Sequence, residues 1–371
     1  MENTINSAHL GTPPTSLDPE EINPQMEDER SYDSVDHPLE DSQDFRHSGW
    51  RRTRDRVDAA LKRTGAPIAR ICAFESCGVY AWVMRSKTNP NSFRLSTNRC
   101  HDRFCTPCAV ERAKTVQAAI AERMGSDRYR LVTLTLKHSP ESLAARLTEL
   151  SDCFAKLRRV KFWTRAVIGG LAVTEIKINT DSGCWHAHLH LLVHGKYLDQ
   201  KTLKEHWHRI TGDSYIVDVR AVAMNGTGAN YIAKYATKAF DHTVTTKDEW
   251  LDEAIRALRG RRLITTFGDW RGFALTVEEP SKEGWEMIAD FDRVLALANA
   301  NHDGALWLVQ YFESLRGLAE PPAGDFPGIP EPGDEECTRH DHRAHVTQGR
   351  FDFDGTTHLD FAADDSHRLQ P

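Results

Sequence analysis

The sequence predicts an α+β fold with a mostly antiparallel central sheet, preceded by a small cysteine-rich module. Alternating strand-like and helix-like segments follow one another between residues 129 and 240 in the order β-α-β-β-α-β-α. Two of these strands are separated only by an Asp-Ser-Gly turn, so they form an antiparallel hairpin. Five of the eight cysteines lie between residues 72 and 108. A chain of 371 residues is long enough for two such modules and tails.

The first three predicted elements are a helix, a strand and a second helix between residues 109 and 163. Pro107 stands near the first turn of a helix over residues 109–124, where its missing amide hydrogen costs little. Residues 129–138 alternate and are β-branched, which is typical of a strand. A single long helix is predicted over residues 141–163, with basic residues late, where the negative end of the helix favours them.

The hairpin follows, and three further elements complete the pattern. Its strands are predicted at residues 169–179 and 184–195. The remaining elements are a helix at 200–210, a strand at 214–222 and a helix at 229–240.

The charge is distributed unevenly along the chain. Residues 1–44 carry twelve acidic residues and one arginine, and residues 320–371 carry twelve acidic residues and four arginines. Because the whole chain has a net charge of −7, residues 45–319 carry a net charge of +12. Basic charge favours nucleic-acid binding, although scattered Lys and Arg also merely solvate a surface. The tails lack apolar periodicity, so we expect them to be disordered.

His186, His188 and His190 form a row on one predicted strand. Side chains alternate along a strand, so the three imidazoles share one face while the intervening apolar residues pack on helices. Neutral imidazole is a good ligand for divalent metal ions, and two histidines at i and i+2 can share one ion. The alternative is that they are surface histidines on the solvent side of a sheet. Three histidines in register favour metal binding over this alternative.

Glu175 is a candidate third ligand. A turn centred near residues 181 and 182 places it opposite His188, on the same face, whereas a slip of one residue would turn it away. Imidazole and carboxylate ligands that leave positions open suit Mg²⁺ or Mn²⁺ holding a phosphate oxygen. The alternative is an exposed strand carboxylate.

Tyr231 and Tyr235 lie four residues apart on a predicted helix, so their hydroxyls share one face. Lys234 and Lys238 lie on an adjacent stripe of the same helix. A tyrosine can form a covalent intermediate when its hydroxyl is activated and its target is polarised. Taken alone, such a pair is typical of half-buried core aromatics, and only the upstream histidine row favours catalysis.

The clustered cysteines indicate a zinc site rather than disulfides. Cys105 and Cys108 have the two-residue gap of a zinc knuckle, whereas Cys72 and Cys77 are separated by a looser four-residue gap. Four of the five cysteines would bind, with Cys72 preferred over Cys100 as the fourth ligand. The alternative is a set of free buried thiols.

In this order, the segments CHDRFCTPCAVERA, LVTLTL, FAKLRRVKFW, VTEIK, HAHLHLLV and YIAKYATK resemble the rolling-circle replication initiators of small bacterial plasmids. The resemblance covers about residues 70–280 and includes the basic stretch LRGRRLITTFG at 258–268. It implies an HUH endonuclease domain with a ferredoxin-like central sheet. The implied segments are a disordered acidic tail at 1–50, a zinc-binding module at 51–110, the HUH nickase domain at 111–285, C-terminal helices at 286–319 and a disordered acidic tail at 320–371.

The resemblance also implies roles for individual residues. The family's histidine pair falls on His188 and His190, and its nucleophile falls on Tyr235 within the Lys-Tyr-x-x-Lys pattern. Many plasmid members carry a glutamate where this chain has Tyr231, which instead resembles the two-tyrosine arrangement of phage gene A proteins. This difference puts termination by hydrolysis in doubt.

The implied activity is metal-dependent nicking of single-stranded origin DNA through a 5′-phosphotyrosine. A host DNA polymerase would extend the released 3′ end. The sequence contains no GxxxxGK[ST] loop, so a host helicase would unwind the duplex. The N-terminus lacks the pattern of a signal peptide and no apolar run is long enough to span a bilayer, so we expect a cytoplasmic bacterial protein without membrane contact.

Two other functions are consistent with these motifs. A two-tyrosine HUH transposase would use the same chemistry at the ends of a mobile element. A non-enzymatic, zinc-containing DNA-binding regulator would retain every activity without Tyr235.

Overall fold

The computed structural model describes residues 41–124, 128–222, 242–275 and 284–330. All elements below belong to one compact unit that extends to Phe326, and residues 327–330 of the second unit contain no helix or strand. The predicted α+β class with antiparallel sheets is confirmed. The predicted helix at 229–240 lies outside the described residues.

The larger sheet has five strands, and every described neighbouring pair in it is antiparallel. Its strands are β3 (Tyr129–Thr135), β4 (Val167–Ile178), β5 (Trp185–Gly195), β6 (Val217–Ala221) and β7 (Ile264–Gly268). Their spatial order is β6-β3-β5-β4-β7.

Ten α-helices are assigned within the described ranges. Along the chain they are α1 (Ser42–His47), α2 (Arg51–Arg63), α3 (Ile68–Glu75), α4 (Thr106–Met124), α5 (Leu143–Leu157), α6 (Lys161–Ala166), α7 (Gln200–Thr211), α8 (Asp248–Ala257), α9 (Phe291–Asn299) and α10 (Asp303–Ser314). None of these helices is both long enough and apolar enough to cross a bilayer.

Alternation along β5 gives the larger sheet two different faces. The odd-numbered residues from Trp185 to Val193 are buried in the main core, together with residues of α5 and α7 such as Leu150 and Trp207. On the other face, Leu192 belongs to a second core with Val116 and Ile120 of α4. Thus α4 covers the Leu192 end of this face, while the histidines lie towards the start of β5.

The single helix predicted over 141–163 is wrong, because α5 ends at Leu157 and α6 begins at Lys161. Phe154 and Trp163 are nine residues apart, so a continuous helix would place them on opposite sides. The break brings both into the core, where their rings meet edge to face at 5.9 Å. Burial of two large aromatic side chains therefore outweighs the helical propensity of the intervening residues.

A smaller sheet joins segments that are distant in sequence. Strand β1 (Ala81–Ser86) pairs with β2 (Phe93–Thr97) and with β8 (Trp285–Asp290), and both pairings are antiparallel. The cysteine-rich segment at 51–110 is therefore completed by a strand from beyond residue 280.

The described structure extends into both segments that were predicted as tails. Helix α1 lies inside the segment predicted as a disordered tail at 1–50, and its Phe45 is buried against Phe291. At the other end, Phe326 packs on Phe93 with ring centroids 4.8 Å apart, inside the tail predicted at 320–371. In both places an aromatic side chain within an acidic segment packs on an aromatic side chain distant in sequence.

Candidate functional site

The histidine row lies in the middle of the larger sheet, where β5 has a neighbour on each side. The predicted register is confirmed, because Glu175 on β4 pairs directly with His188. On the other side, Thr135 of β3 pairs with His188 and Thr133 pairs with His190. Directly paired residues point to the same face, so both neighbouring strands contribute side chains to the histidines.

Glu175 and His190 form a buried pair. Nε2 of His190 donates a hydrogen bond of 2.9 Å to Oε2 of Glu175, and both residues are about 95% shielded from solvent. Nζ of Lys177 lies 3.3 Å from the other carboxylate oxygen. Burial raises the pKa of Glu175, but the hydrogen bond from His190 and the charge of Lys177 outweigh it, so that the pKa lies below its usual value. The carboxyl group is therefore ionised and available as a ligand.

His188 carries a nitrogen that lacks a partner. Its Nδ1 lies 3.1 Å from the hydroxyl of Thr135, whereas its Nε2 is buried and has no hydrogen-bond partner among the described residues. Burial, followed by repulsion from His186, lowers the pKa of His188 to about 3. The imidazole is therefore neutral near pH 7, which is the form that binds metal ions.

His186 lies at the outer end of the row. Its ring centroid is 4.1 Å from that of His188 and 6.3 Å from that of His138. Burial and then the neighbouring His138 lower the pKa of His186, so this imidazole is also kept neutral. His186 adjoins the His188–His190–Glu175 group without a described hydrogen bond to it.

This group fits a divalent ion through its chemistry. The unpartnered Nε2 of the neutral His188 and the ionised carboxylate of Glu175 are donors that such an ion requires. Across the described ranges, however, only the cysteine group below brings three or more ligand atoms within 4.8 Å of one another. An ion bound by both His190 and Glu175 would take the place of the proton they now share.

Thr133 and Thr135 are functional candidates that the sequence reasoning missed. The Thr133 hydroxyl lies 3.2 Å from Nδ1 of His190, just as the Thr135 hydroxyl faces Nδ1 of His188. Because each Nδ1 is engaged by a threonine, each ring directs its Nε2 away from β3. Hydrogen-bond partners of metal-binding histidines orient the imidazole in the same way. The sequence pattern that could have pointed to them is a pair of threonines at i and i+2 on the strand that lies next to the histidine strand.

The predicted catalytic tyrosines and lysines lie outside the described residues. Tyr231, Lys234, Tyr235 and Lys238 all fall between residues 223 and 241. Their roles remain predictions.

Four cysteines converge beside α4. The sulfur atoms of Cys77, Cys100, Cys105 and Cys108 all lie within 4.8 Å of one another, and the pairs Cys77–Cys105, Cys77–Cys108 and Cys100–Cys108 are 3.6 to 3.7 Å apart. Tetrahedral zinc with Zn–S bonds of about 2.3 Å places its sulfurs roughly 3.8 Å apart. This group therefore could hold a metal such as zinc without rearrangement.

The preference for Cys72 as the fourth ligand needs correction. Cys72 is exposed and stands apart from the group, and Cys100 takes its place. Cys72 lies on α3, and Cys77 follows the end of that helix. The exposed thiol of Cys72 faces solvent from this helix, whereas the buried thiol of Cys77 joins the group. Cys100 instead reaches the group from the segment that follows β2.

A buried arginine stabilises negative charge on these sulfurs. Nη2 of Arg46 donates a hydrogen bond of 3.3 Å to Sγ of Cys108, and Nη1 forms a 2.8 Å ion pair with Glu111. Hydrogen bonds from Cys100 and Cys105 lower the pKa of Cys108 to about 7. Helix α1 thus contributes a cation to the cysteine group, which suits thiolate ligands.

Zinc content tests this group. We expect close to one zinc per purified chain, and we expect Cys108→Ser to lose the metal and unfold at a lower temperature, because a structural zinc contributes directly to folding. Cys72→Ser is the matched control, since its exposed thiol lies outside the group. Metal analysis and thermal melting of both variants provide the comparison. Equal zinc loss in the two variants, or a folded wild type without zinc, would contradict the assignment.

Comparison with known proteins gives a consistent result. A family model described as "Replication protein" matches residues 93–310. Proteins described as "Protein rep" are similar to this chain: one from Lactiplantibacillus plantarum is 33% identical over 46% of the chain, and one from Streptococcus pneumoniae is 26% identical over 47%. The chain spans 63% and 61% of the lengths of these two relatives. No solved structure matches the chain.

Proposed function

The chain belongs to the replication protein family, and from this premise we propose that it initiates plasmid rolling-circle replication. In this proposal it is a single-strand DNA endonuclease that nicks the origin with a tyrosine and later rejoins the strand. The observation that carries the proposal is the buried group of His188, His190 and Glu175, in which a neutral histidine presents an unpartnered nitrogen.

His188, His190 and Glu175 would hold one Mg²⁺ or Mn²⁺ ion, with His186 as the neighbouring candidate ligand. When bound, such an ion polarises the scissile phosphate. Thr133 and Thr135 hold the two imidazoles in orientation. Lys177 offsets part of the negative charge of Glu175 from the solvent side.

Tyr235 would supply the nucleophile. Its phenolic oxygen forms a bond to phosphorus, the bond from phosphorus to the 3′ oxygen breaks, and the phenolic proton is lost as the 3′ oxygen gains one. The products are a 5′-phosphotyrosine and a 3′-hydroxyl. Lys234 and Lys238 would contact phosphate oxygens or lower the pKa of the phenol.

Tyr231 would carry the second transfer. After one round of synthesis its hydroxyl would attack the regenerated origin, and the released 3′-hydroxyl would then attack the first phosphotyrosine to close a circle. Each transfer exchanges one phosphodiester for another, so no nucleotide cofactor is required. Origin DNA, a host helicase and a host DNA polymerase are the partners that this cycle needs.

A covalent-adduct assay tests the proposal. Full-length protein is incubated with single-stranded origin DNA and Mn²⁺, and a denaturing gel is scored for a protein–DNA band of increased mass. The expected result is an adduct that forms with Mn²⁺ and not with EDTA. Tight DNA binding without any adduct would instead indicate a regulator.

The threonines give a graded test of the metal site. Thr135→Val removes the hydroxyl at nearly constant volume, so we expect the Mn²⁺ concentration for half-maximal nicking to rise about 10- to 100-fold, the usual effect of losing such a partner. Thr135→Ser, which keeps the hydroxyl, is the matched control. A metal requirement unchanged by the valine would show that Thr135 only packs against His188.

A further inference from the structure

The basic stretch at 258–268 is a motif to which the proposed function assigns no role. Its three arginines, Arg259, Arg261 and Arg262, lie between the end of α8 and the start of β7. Strand β7 pairs with β4, and β4 carries Glu175. The arginines therefore approach the strand that contributes the carboxylate to the candidate metal site.

The register of this pairing places Arg262 beside Glu175. The two strands remain paired just before β7 begins, because the amide of Thr174 donates a hydrogen bond of 2.8 Å to the carbonyl of Leu263. One step further in the same register, position 262 stands opposite position 175. Directly paired residues have Cβ atoms about 5 Å apart. Arg262 is therefore a neighbour of a predicted metal ligand.

Alternation turns Arg262 to the face of the histidine row. Leu263 packs against the main core on the side of α5, whereas Ile264 packs into the second core, on the opposite face of the sheet. Successive side chains along an extended segment point to opposite faces. Arg262 therefore shares the face of Ile264, which is also the face of Glu175.

Contacts from two sides fix the backbone at this position. The guanidinium of Arg261 donates hydrogen bonds of 3.2 Å to the carbonyl of Ala144 and 2.9 Å to the hydroxyl of Thr148, both on α5. Nη2 of Arg103, which lies in the cysteine-rich segment, donates a hydrogen bond of 3.0 Å to the carbonyl of Arg261. Helix α5 and the cysteine-rich segment thus hold the chain immediately before Arg262 in place.

The side chain of Arg262 is exposed and forms no hydrogen bond or ion pair within the described part of the chain. The neighbouring carboxylate is already engaged. Oε2 of Glu175 accepts a hydrogen bond from His190, and Oε1 lies 3.3 Å from Nζ of Lys177. The guanidinium is therefore available to an anion from outside the chain, and its planar donors match two oxygens of a phosphate.

We propose that Arg262 is a substrate-binding residue of the nickase, which holds the scissile phosphate over the His188–His190–Glu175 group. Its guanidinium donates hydrogen bonds to the phosphate oxygens and stabilises the negative charge that develops during transfer to tyrosine. The proposal rests on the proposed function, because nicking defines the phosphate that is bound.

The nicking rate at a saturating concentration of origin oligonucleotide with Mn²⁺ tests this role. We expect Arg262→Ala to slow adduct formation by about 100- to 1000-fold, as expected when a donor to developing charge is lost. Arg262→Lys keeps the charge without the planar donors, so it should recover only part of the rate. Arg259→Ala is the matched control, because Arg259 is exposed on the same stretch but lines a cavity with Pro67 and Ile255. All three variants should melt at the wild-type temperature.

Binding of the same oligonucleotide in EDTA gives a second measurement, which does not depend on nicking. Each contact with a phosphate of a single strand contributes about 0.7 to the slope of log affinity against log salt concentration. We expect Arg262→Ala to reduce the magnitude of this slope by about that amount, and Arg259→Ala to leave it at the wild-type value.

The two proposals fail separately. If the wild type forms its adduct and Arg262→Ala nicks at the wild-type rate, the role of Arg262 is wrong and the nicking function stands. Equal slowing in Arg259→Ala would also overturn the proposal, because general positive charge would then explain the effect. If the wild type forms no adduct, the nicking function is wrong. A reduced salt slope in Arg262→Ala alone would then still support a phosphate contact by Arg262, and an unchanged slope would overturn it.

Discussion

His188→Ala and His190→Ala are expected to abolish origin nicking while DNA binding survives. Each removes an imidazole from the group that would hold the divalent ion, and a metal ion contributes several kcal/mol to such a reaction. The loss should therefore be on the order of a thousandfold in rate. Adduct formation over time, measured with Mn²⁺ in excess, gives the rate, and anisotropy on the same oligonucleotide gives the affinity.

His194→Gln is the control for these two variants. His194 lies on the same strand and the same face, but its Nε2 donates a hydrogen bond of 2.8 Å to Asp269 at the far end of β5. Its loss should reduce stability and leave the metal requirement unchanged. Full nicking by either alanine variant, or by the wild type in excess EDTA, would show that the metal site takes no part in nicking.

Local patterns were sufficient to predict how Glu175 and the histidines are arranged. The short turn fixed the hairpin register, and alternation then placed Glu175 and the histidines on one face. The hydrogen bond from His190 to Glu175 is diagonal in this register, and an account based on directly opposite residues did not include it. Thr133 and Thr135 were missed because their role depends on which strand lies beside β5, and no local spacing shows this.

The cysteine group shows a different limit of prediction. Spacing identified the cluster but could not choose between Cys72 and Cys100, since the choice depends on the helix that carries Cys72. The contribution of Arg46 was missed for a related reason. It lies in a segment whose acidic composition predicted disorder, yet its helix is held by the buried Phe45.

The smaller sheet could not be predicted at all from local patterns. Strand β8 joins β1 from about two hundred residues away, and nothing in WEMIAD specifies that partner. The pairing depends on burial of Ala289 beside Val83 and on the helices that follow. Long-range pairing of this kind is determined by the whole core, so only the structure reveals the smaller sheet.

Replacing Tyr235 by Phe is expected to eliminate initial nicking or to leave a small residual nicking activity that depends on Tyr231. The substitution removes the hydroxyl oxygen and keeps the ring, so it changes the chemistry with little change in volume. Tyr231→Phe should still nick and form the adduct but should fail to release closed single-stranded circles. Both variants are compared on one origin substrate, with adduct and circles scored separately.

The separation of the two products assigns the two tyrosines. An adduct without circles in Tyr231→Phe requires a second nucleophile at position 231, because the first transfer is then intact and only the second is lost. If Tyr231→Phe forms circles at the wild-type level, Tyr231 is a packing residue. Termination then uses water or a second chain. If Tyr231→Phe abolishes the first cut and Tyr235→Phe does not, the two roles are reversed. An adduct formed by the double variant Tyr231→Phe/Tyr235→Phe would exclude both tyrosines, and the metal site would then have to activate a different nucleophile.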